Sequence, residues 1–179
     1  MADGDVRPQG RKDVPTVDAD GRRRSTGIEG VRVSRAVVHA DHRGSLAELY
    51  NPDDAFWRGE PAVYAYLVRI SPGRIKGWGM HRVQADRYAT VSGSLRVVLY
   101  DGRVGSETHG RFAQFYFDDA TTGFLHIPPG VWHADQNYGR DDVVLVNFPT
   151  HPYDRDDPDK YRIDVASDEI PFDFALRDG

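Results

Sequence analysis

The stretch GRIKGWGMHRVQADRYATVSG, residues 73–93, decides how this chain folds. Gly79 and His81 are two residues apart, so on a β-strand both face the same side. Asp86 follows His81 after four residues, and Gly93 follows after six more, where it permits a tight turn between the next two strands. Because His81 ends one strand and Asp86 begins the next, we expect the two side chains to meet at the rim of a barrel.

A second stretch, PPGVWHADQN at residues 128–137, supplies the facing strand. Its Pro-Pro-Gly start is typical of a turn, since proline fixes one backbone angle and glycine tolerates turn geometry. We expect this turn to direct His133 inward, toward His81 and Asp86. Together the two stretches predict two imidazoles and one carboxylate in the mouth of one barrel.

Short strand-like runs separated by turn residues surround both stretches. The runs are Val31–Val38, Ser45–Tyr50, Ala62–Ile70, Tyr88–Val91, Leu95–Tyr100, Phe112–Phe117, Phe124–Ile127 and Val143–Phe148. No stretch shows a long helical period, and only Asp53–Trp57 suggests a single helical turn. This pattern predicts an all-β jelly roll, a double-stranded β-helix with little helix.

Composition excludes several classes of protein. The chain has 179 residues, a formal net charge of −5 and no cysteine, which rules out disulfides, a thiol nucleophile and cysteine-bound zinc. No apolar run approaches the ~20 residues that cross a bilayer, and the mild acidity argues against a nucleic-acid partner.

We predict a cytoplasmic protein with a mobile tail at residues 1–27 and one domain at 28–179. The segment Tyr153–Gly179 is expected to pack along the barrel.

The two stretches together resemble the two motifs of the cupin superfamily. Pro128 through Asn137 fit the second motif, Pro-x-Gly-x2-His-x3-Asn, in full. The first motif fits in spacing, with Gly79 where cupins carry a first histidine and Asp86 where they carry a glutamate.

A closer resemblance, over most of residues 35–175, is to the dTDP-4-dehydrorhamnose 3,5-epimerase family. The matching segments are DHRGSLAE (41–48), GMH (79–81), IPPGVWH (127–133) and DPD with ID (157–159, 163–164). This resemblance implies that His81 is a catalytic base and His133 a substrate contact. It also implies that Arg43 and Glu48 hold a nucleotide at a homodimer interface, and that no metal or other cofactor takes part.

Four kinds of position depart from the family pattern. In an ungapped comparison with the family motif, Val146 stands at the position of the catalytic tyrosine, Asp86 at that of a lysine and Trp78 at that of an arginine. Tyr66 stands where the family has a glutamine on the strand that binds the nucleotide. Tyr66 and Tyr88 are therefore alternative proton donors, and Trp78 joins them as a candidate substrate contact. The candidates for the cation that stabilises an oxyanion are Arg69, Arg74, Lys76 and His133.

Three functions are compatible with these residues. The first is an epimerase or isomerase of a nucleotide-linked 4-keto-6-deoxy sugar, in which His81 removes a proton next to the ketone and Asp86 orients it. The second is a metal-dependent cupin in which His81, Asp86 and His133 bind a divalent transition metal. The third is a catalytically inactive sugar-binding protein.

Overall fold

A computed structural model of the chain describes residues 15, 17, 19, 27–57, 59–120 and 122–176. This part of the chain contains twelve strands and no α-helix. The strands are β1 (Arg32–Arg35), β2 (Val38–Asp41), β3 (Gly44–Ala47), β4 (Tyr66–Ile70), β5 (Ile75–Met80), β6 (Asp86–Ser92), β7 (Leu95–Asp101), β8 (Phe112–Phe117), β9 (Gly123–Ile127), β10 (Val131–Asn137), β11 (Val143–Asn147) and β12 (Tyr161–Arg162). Within the described ranges, no helix is long and apolar enough to span a bilayer.

Two five-stranded antiparallel sheets form the barrel. The first has the order β1-β9-β6-β11-β4, the second has the order β12-β5-β10-β7-β8, and β2 and β3 form a separate hairpin. Side chains alternate along each strand, so one face of each sheet fills the interior. The largest buried cluster contains Leu95, Val97, Leu99, Leu125, Ile127 and Leu145. The predicted all-β jelly roll is confirmed.

The strand that precedes His81, β5, and the strand that carries His133, β10, differ most from the strand-like runs in the sequence. β5 contains two glycines and a lysine, and β10 contains buried Asp135 and Asn137, so neither has a continuous apolar run. The run Val31–Val38 is divided between β1 and β2. Asp53–Trp57 forms turns closed by i+3 hydrogen bonds, such as Trp57 N to Asp54 O at 3.0 Å, and not a turn of α-helix.

The C-terminal segment lies on the outer face of the second sheet. Trp78 N donates to Ile163 O at 2.9 Å, and Ile163 N donates back to Trp78 O at 3.2 Å. Ile170 is 1% exposed, and Phe174 lies 5.5 Å from the Trp78 ring. This packing fixes the path of residues 157–162 across the rim of the barrel. The tail predicted at residues 1–27 falls almost entirely outside the described residues.

A buried arginine on the outer face of the first sheet holds two loops. Arg87 is 0% exposed. Its guanidinium donates to four main-chain carbonyls: Phe148 O at 2.7 Å, Pro61 O at 3.0 Å, Glu60 O at 3.2 Å and Pro149 O at 3.3 Å. A planar group with five donors is suited to such a set. Arg87 therefore ties the segment that leads into β4 to the segment that follows β11.

Candidate active site

His81 lies directly after β5, with its ring fixed by the C-terminal segment. Its Nδ1 donates to the main-chain oxygen of Asp159. Because a carbonyl only accepts, this bond places the proton on Nδ1 and leaves the lone pair of the neutral ring on Nε2. The Asp159 carboxylate in turn accepts from three main-chain N–H groups, those of Arg82 at 2.8 Å, Val83 at 2.9 Å and Gln84 at 3.0 Å. One residue thus holds both the imidazole and the loop that follows it.

His81, Asp86 and His133 lie together between the two sheets. Asp86 begins β6 of the first sheet, whereas His133 lies on β10 and His81 directly after β5 of the second. The Asp86 Oδ2 atom is 3.4 Å from His81 Nε2 and 3.5 Å from His133 Nε2. His133 reaches this position because it lies opposite Gly79 across the β5–β10 ladder. The separation of His81 and Asp86 is within the range at which a carboxylate and an imidazole influence one another strongly.

Charge and burial act in opposite directions on this cluster. Burial would raise the pKa of Asp86, but its interactions with the neighbouring imidazoles of His81 and His133 outweigh burial and hold that pKa well below its usual range. Burial lowers the pKa of His133 to about 3, against the attraction of Asp86. At neutral pH, therefore, Asp86 is a carboxylate and His133 is a neutral ring.

Lys160 brings a cation into the cluster from the C-terminal segment. Its Nζ atom lies 3.2 Å from His81 Nε2 and 3.5 Å from His133 Nε2. Burial lowers the pKa of Lys160, and the charges of Asp86 and Asp135 act against that shift. The ammonium thus faces the atom of His81 that carries the free lone pair.

A tyrosine on β4 completes the polar wall. The Asn147 amide donates to Tyr66 Oη at 2.8 Å and to Asp86 Oδ1 at 2.8 Å, so it joins the phenol to the cluster. Burial, with the nearby charge of Asp86, raises the pKa of Tyr66. The phenol therefore keeps its proton at neutral pH.

Val146 does not face this wall. Leu145 and Asn147 belong to the inner face of β11, and Val146 lies between them opposite Ala89 and Leu67, on the outer face. The position that the motif comparison assigns to the family tyrosine is thus occupied by a residue directed away from the site.

A pocket of about 600 Å³ opens onto these groups. This volume is in the range of small-molecule sites. Its lining residues are Tyr64, Tyr66, His81, Gln84, Pro149, Tyr153, Pro158, Lys160 and Arg162. The base candidate, the phenol and the ammonium therefore share one opening.

Several predicted site residues lie elsewhere. Trp78 is 1% exposed and packs under the C-terminal segment, because alternation along β5 turns it away from the face of Gly79. Tyr88 is buried below the cluster and donates to Asp135 at 3.1 Å. Arg43 and Glu48 are exposed on or just after the β2–β3 hairpin, where Arg43 pairs with Asp41 at 2.5 Å.

Three of the four groups predicted to stabilise an oxyanion lie apart from the pocket, and the fourth, His133, is buried in the cluster with Asp86 without lining the pocket. Arg74 and Lys76 are exposed, and Arg69 pairs with Asp142 on the surface at 3.1 Å. The sequence reasoning missed Lys160, Asp159 and Asn147. One signal was present, since the chain has only three lysines among 23 basic residues, and Lys160 is one of them.

Asp135 yields a prediction about stability. Burial raises the pKa of Asp135 to about 7, although its hydrogen bond with Tyr88 opposes the shift. Between about pH 4 and pH 7 the folded protein thus holds a proton that the unfolded chain releases, so this carboxyl costs stability as the pH rises. We expect the free energy of unfolding of Asp135→Asn, relative to wild type, to increase by up to roughly 4 kcal/mol over that range, about 1.4 kcal/mol per unit.

Urea denaturation at several pH values measures this difference. Tyr88→Phe is the matched control, because it alters the same pair but leaves the carboxyl, so its stability should still fall as the pH rises. A difference between Asp135→Asn and wild type that stays constant with pH would show that Asp135 is ionised throughout the range.

The fold and the site define a class of protein, a cupin-type jelly roll with an imidazole, a phenol and an ammonium around one pocket. Comparison with known proteins identifies the family. The sequence profile of dTDP-4-dehydrorhamnose 3,5-epimerase matches residues 25–178, and the chain belongs to this family of nucleotide-sugar epimerases. Both the predicted family and the prediction of a sugar epimerase are confirmed.

Individual relatives agree with this assignment. A spore coat polysaccharide biosynthesis protein of Bacillus subtilis is 33% identical over 147 residues, which cover 82% of this chain and 96% of that protein. A probable low-salt glycan biosynthesis epimerase of Haloferax volcanii is 32% identical over 137 residues, covering 76% and 87%. The crystal structure of a dTDP sugar isomerase from Desulfovibrio desulfuricans aligns with a TM-score of 0.77 at 27% identity, covering 85% of this chain and 95% of that one.

Proposed function

We propose that the protein epimerises or isomerises a nucleotide-linked 4-keto-6-deoxy sugar, with His81 as the base. The observation that carries this proposal is the orientation of His81, which lines the pocket. Its Nδ1 is held by Asp159, which leaves the lone pair on Nε2, 3.2 Å from Lys160 Nζ. The nucleotide-sugar substrate is supported by the family and by the dTDP sugar isomerase from Desulfovibrio desulfuricans.

The chemistry follows from the acidity of a C–H bond next to a ketone. His81 Nε2 takes the proton, the C–H electron pair moves into the C–C bond, and the carbonyl oxygen gains the negative charge of an enolate. When a proton returns to the opposite face, the electron pair moves back and the centre is inverted. A general base and a general acid on opposite sides of the sugar ring perform this reaction.

Tyr66 is the proton donor in this proposal. It lines the pocket, and it accepts from Asn147 without donating to any described residue, so its own hydrogen is available to substrate. Tyr88 is the weaker candidate because it is buried and donates to Asp135.

Proton NMR in D₂O tests the proposed function. The purified protein is incubated with a thymidine diphosphate 4-keto-6-deoxyhexose, and the signals of the two protons that flank the ketone, at C3 and C5, are followed. Loss of either signal only when the protein is present supports the proposal. Retention of both signals with this substrate and with its uridine diphosphate counterpart contradicts it, and binding without exchange would favour the inactive sugar-binding alternative.

Tyr66→Phe should separate exchange from inversion. Without the phenol, His81 can still remove a proton and return a deuteron to the same face, so exchange should continue. Formation of the inverted product should fall by about 10²-fold, the scale of a lost general acid. Tyr116→Phe is the matched control, because Tyr116 is exposed on β8, outside the pocket lining, and its phenol donates to Gln114 at 2.9 Å. This variant should leave both rates unchanged. An equal loss of both rates would remove Tyr66 from this role.

We also propose that the protein is a homodimer in which Arg43 and Glu48 contact the nucleotide in the pocket of a second copy. The β2–β3 hairpin hydrogen-bonds to neither five-stranded sheet, and both side chains point to solvent in the single chain. Sedimentation of the purified protein tests the dimer.

A metal-dependent cupin is the second candidate. One ligand atom from each of His81, Asp86 and His133 lies within 4.8 Å of the others, which is the donor set of a two-histidine, one-carboxylate centre. Lys160 Nζ already occupies the space between the two imidazoles, which counts against a bound ion. Activity that disappears with a chelator and returns with Fe(II) or Mn(II) would favour this candidate over the metal-free enzyme.

A further inference from the structure

The ammonium of Lys160 takes up space that a side chain at position 79 would otherwise fill. A Cβ atom added to Gly79 would lie 2.6 Å from Lys160 Nζ and 3.1 Å from His133 Nε2. Both distances are shorter than normal contacts, so any residue larger than glycine would displace the lysine. Gly79 stands where the cupin motif has a histidine, and the space left by its missing side chain is where the ammonium lies.

The groups around Lys160 are those that bind cations. Both imidazole Nε2 atoms lie at hydrogen-bond distance from Nζ. Asp86 Oδ2 lies 3.4 and 3.5 Å from the same two atoms. This buried oxygen has no hydrogen-bond partner within the described part of the chain. An unpaired carboxylate oxygen and two imidazole nitrogens around one point make a position for a single positive charge.

We propose that Lys160 fills the cation position of the cluster formed by His81, Asp86 and His133, and that its ammonium stabilises the enolate oxygen there in place of a metal ion. Metal–ligand bonds to nitrogen and oxygen are only about 2.0–2.2 Å long, so an ion held by these three residues cannot coexist with Nζ. The catalytic half of this inference, that the ammonium stabilises the enolate, depends on the proposed function. The metal half, that the ammonium occupies the position a metal ion would take, does not.

The position of Lys160 also suits the reaction. The enolate oxygen is bonded to the carbon next to the one that loses its proton, so the group that stabilises it has to stand beside the base. Lys160 does so, at 3.2 Å from His81 Nε2, and it lines the pocket. It donates hydrogen bonds to the oxygen and transfers no proton.

Titration with Co(II), followed by its visible absorption, tests the metal half without any sugar. Lys160→Ala should bind one equivalent at least about 30-fold more tightly than wild type, with the intense absorption of a site of low coordination number. Lys160→Ala/His133→Asn is the control and should lose this gain. Lys160→Ser provides a second variant, and circular dichroism verifies that each variant folds. If neither single variant binds Co(II) more tightly than wild type, the cation position is refuted.

The rate of deuterium exchange tests the catalytic half. Lys160→Ala should lower this rate by about 10²-fold, the lower end of the loss when one oxyanion donor is removed, while the affinity for thymidine diphosphate and the melting temperature change little. Added methylammonium should restore part of the rate, because it can enter the space that the lysine left. It should not do so in Lys160→Leu, where an apolar side chain fills the space.

The outcomes separate this inference from the proposed function. If wild type exchanges no proton but Lys160→Ala gains Co(II), the proposed function fails and the cation position stands. If wild type exchanges and Lys160→Ala exchanges equally fast, the catalytic role of Lys160 fails and the base remains. A loss of rate that follows the loss of folding, with no rescue by the amine, would make Lys160 structural.

Discussion

His81→Asn is expected to lower the rate of deuterium exchange next to the ketone by about 10²- to 10⁴-fold, the contribution of a positioned general base. Asparagine is polar and similar in shape to the near half of an imidazole, so the rim of the barrel should stay intact. Its amide cannot accept a proton from carbon, and Asp86 and Lys160 would remain in place without a base between them.

NMR in D₂O measures this loss, and thermal unfolding shows whether the variant folds. His109→Asn is the matched control, because His109 is exposed and, among the described residues, its ring bonds only to the Arg103 carbonyl, at 3.0 Å. Its exchange rate should equal that of wild type. Exchange at the wild-type rate in His81→Asn would show that another group removes the proton.

Arg87→Met is expected to cost about 4 kcal/mol in the free energy of unfolding. The guanidinium is fully buried and donates to four carbonyls from two loops, and hydrogen bonds from a charged donor contribute about 1.5–3 kcal/mol each. Methionine fills most of the volume but donates nothing. Because these loops lead to Tyr66 and Pro149 at the pocket, the loss should also lower activity at temperatures where the variant remains folded.

Urea denaturation compares this variant with Arg69→Met, which removes an exposed arginine paired with Asp142. Exposed ion pairs contribute only about 0–1 kcal/mol, so the control should stay close to wild type. Arg87→Lys should lie between the two, since a single ammonium cannot reach all four carbonyls. A cost below about 1 kcal/mol for Arg87→Met would mean that water replaces the guanidinium without penalty.

The fold could be predicted from the sequence because its signals are local. Turn residues divide the chain into short apolar runs, and the spacing of His81, Asp86 and His133 is measured along strands of known alternation. Strand alternation also explains why these three side chains lie close together, since Gly79 and His133 lie opposite each other in the β5–β10 ladder. Even β5 and β10, which have no apolar run, were expected near the site from their motifs.

The remainder of the site comes from contacts between distant parts of the chain. Lys160 is 79 residues from His81, and Asp159 reaches the imidazole through a main-chain oxygen, which no residue type reveals. Trp78 was a candidate because it stands at the position of the family's arginine, but its direction depends on strand alternation and on the cover supplied by Ile170 and Phe174. Such pairings depend on the path of the C-terminal segment, and no local pattern encodes that path.

The alternation along β11 also limits how this lineage can change. A tyrosine arising at position 146 by a single mutation would project from the outer face, beside Ala89 and Leu67, and would bring no proton donor to the pocket. The inward position next to it belongs to Asn147, whose amide joins Tyr66 to Asp86. A tyrosine at position 147 would face inward, but it would remove the amide that positions Tyr66, so this strand cannot gain a second proton donor without disturbing the first.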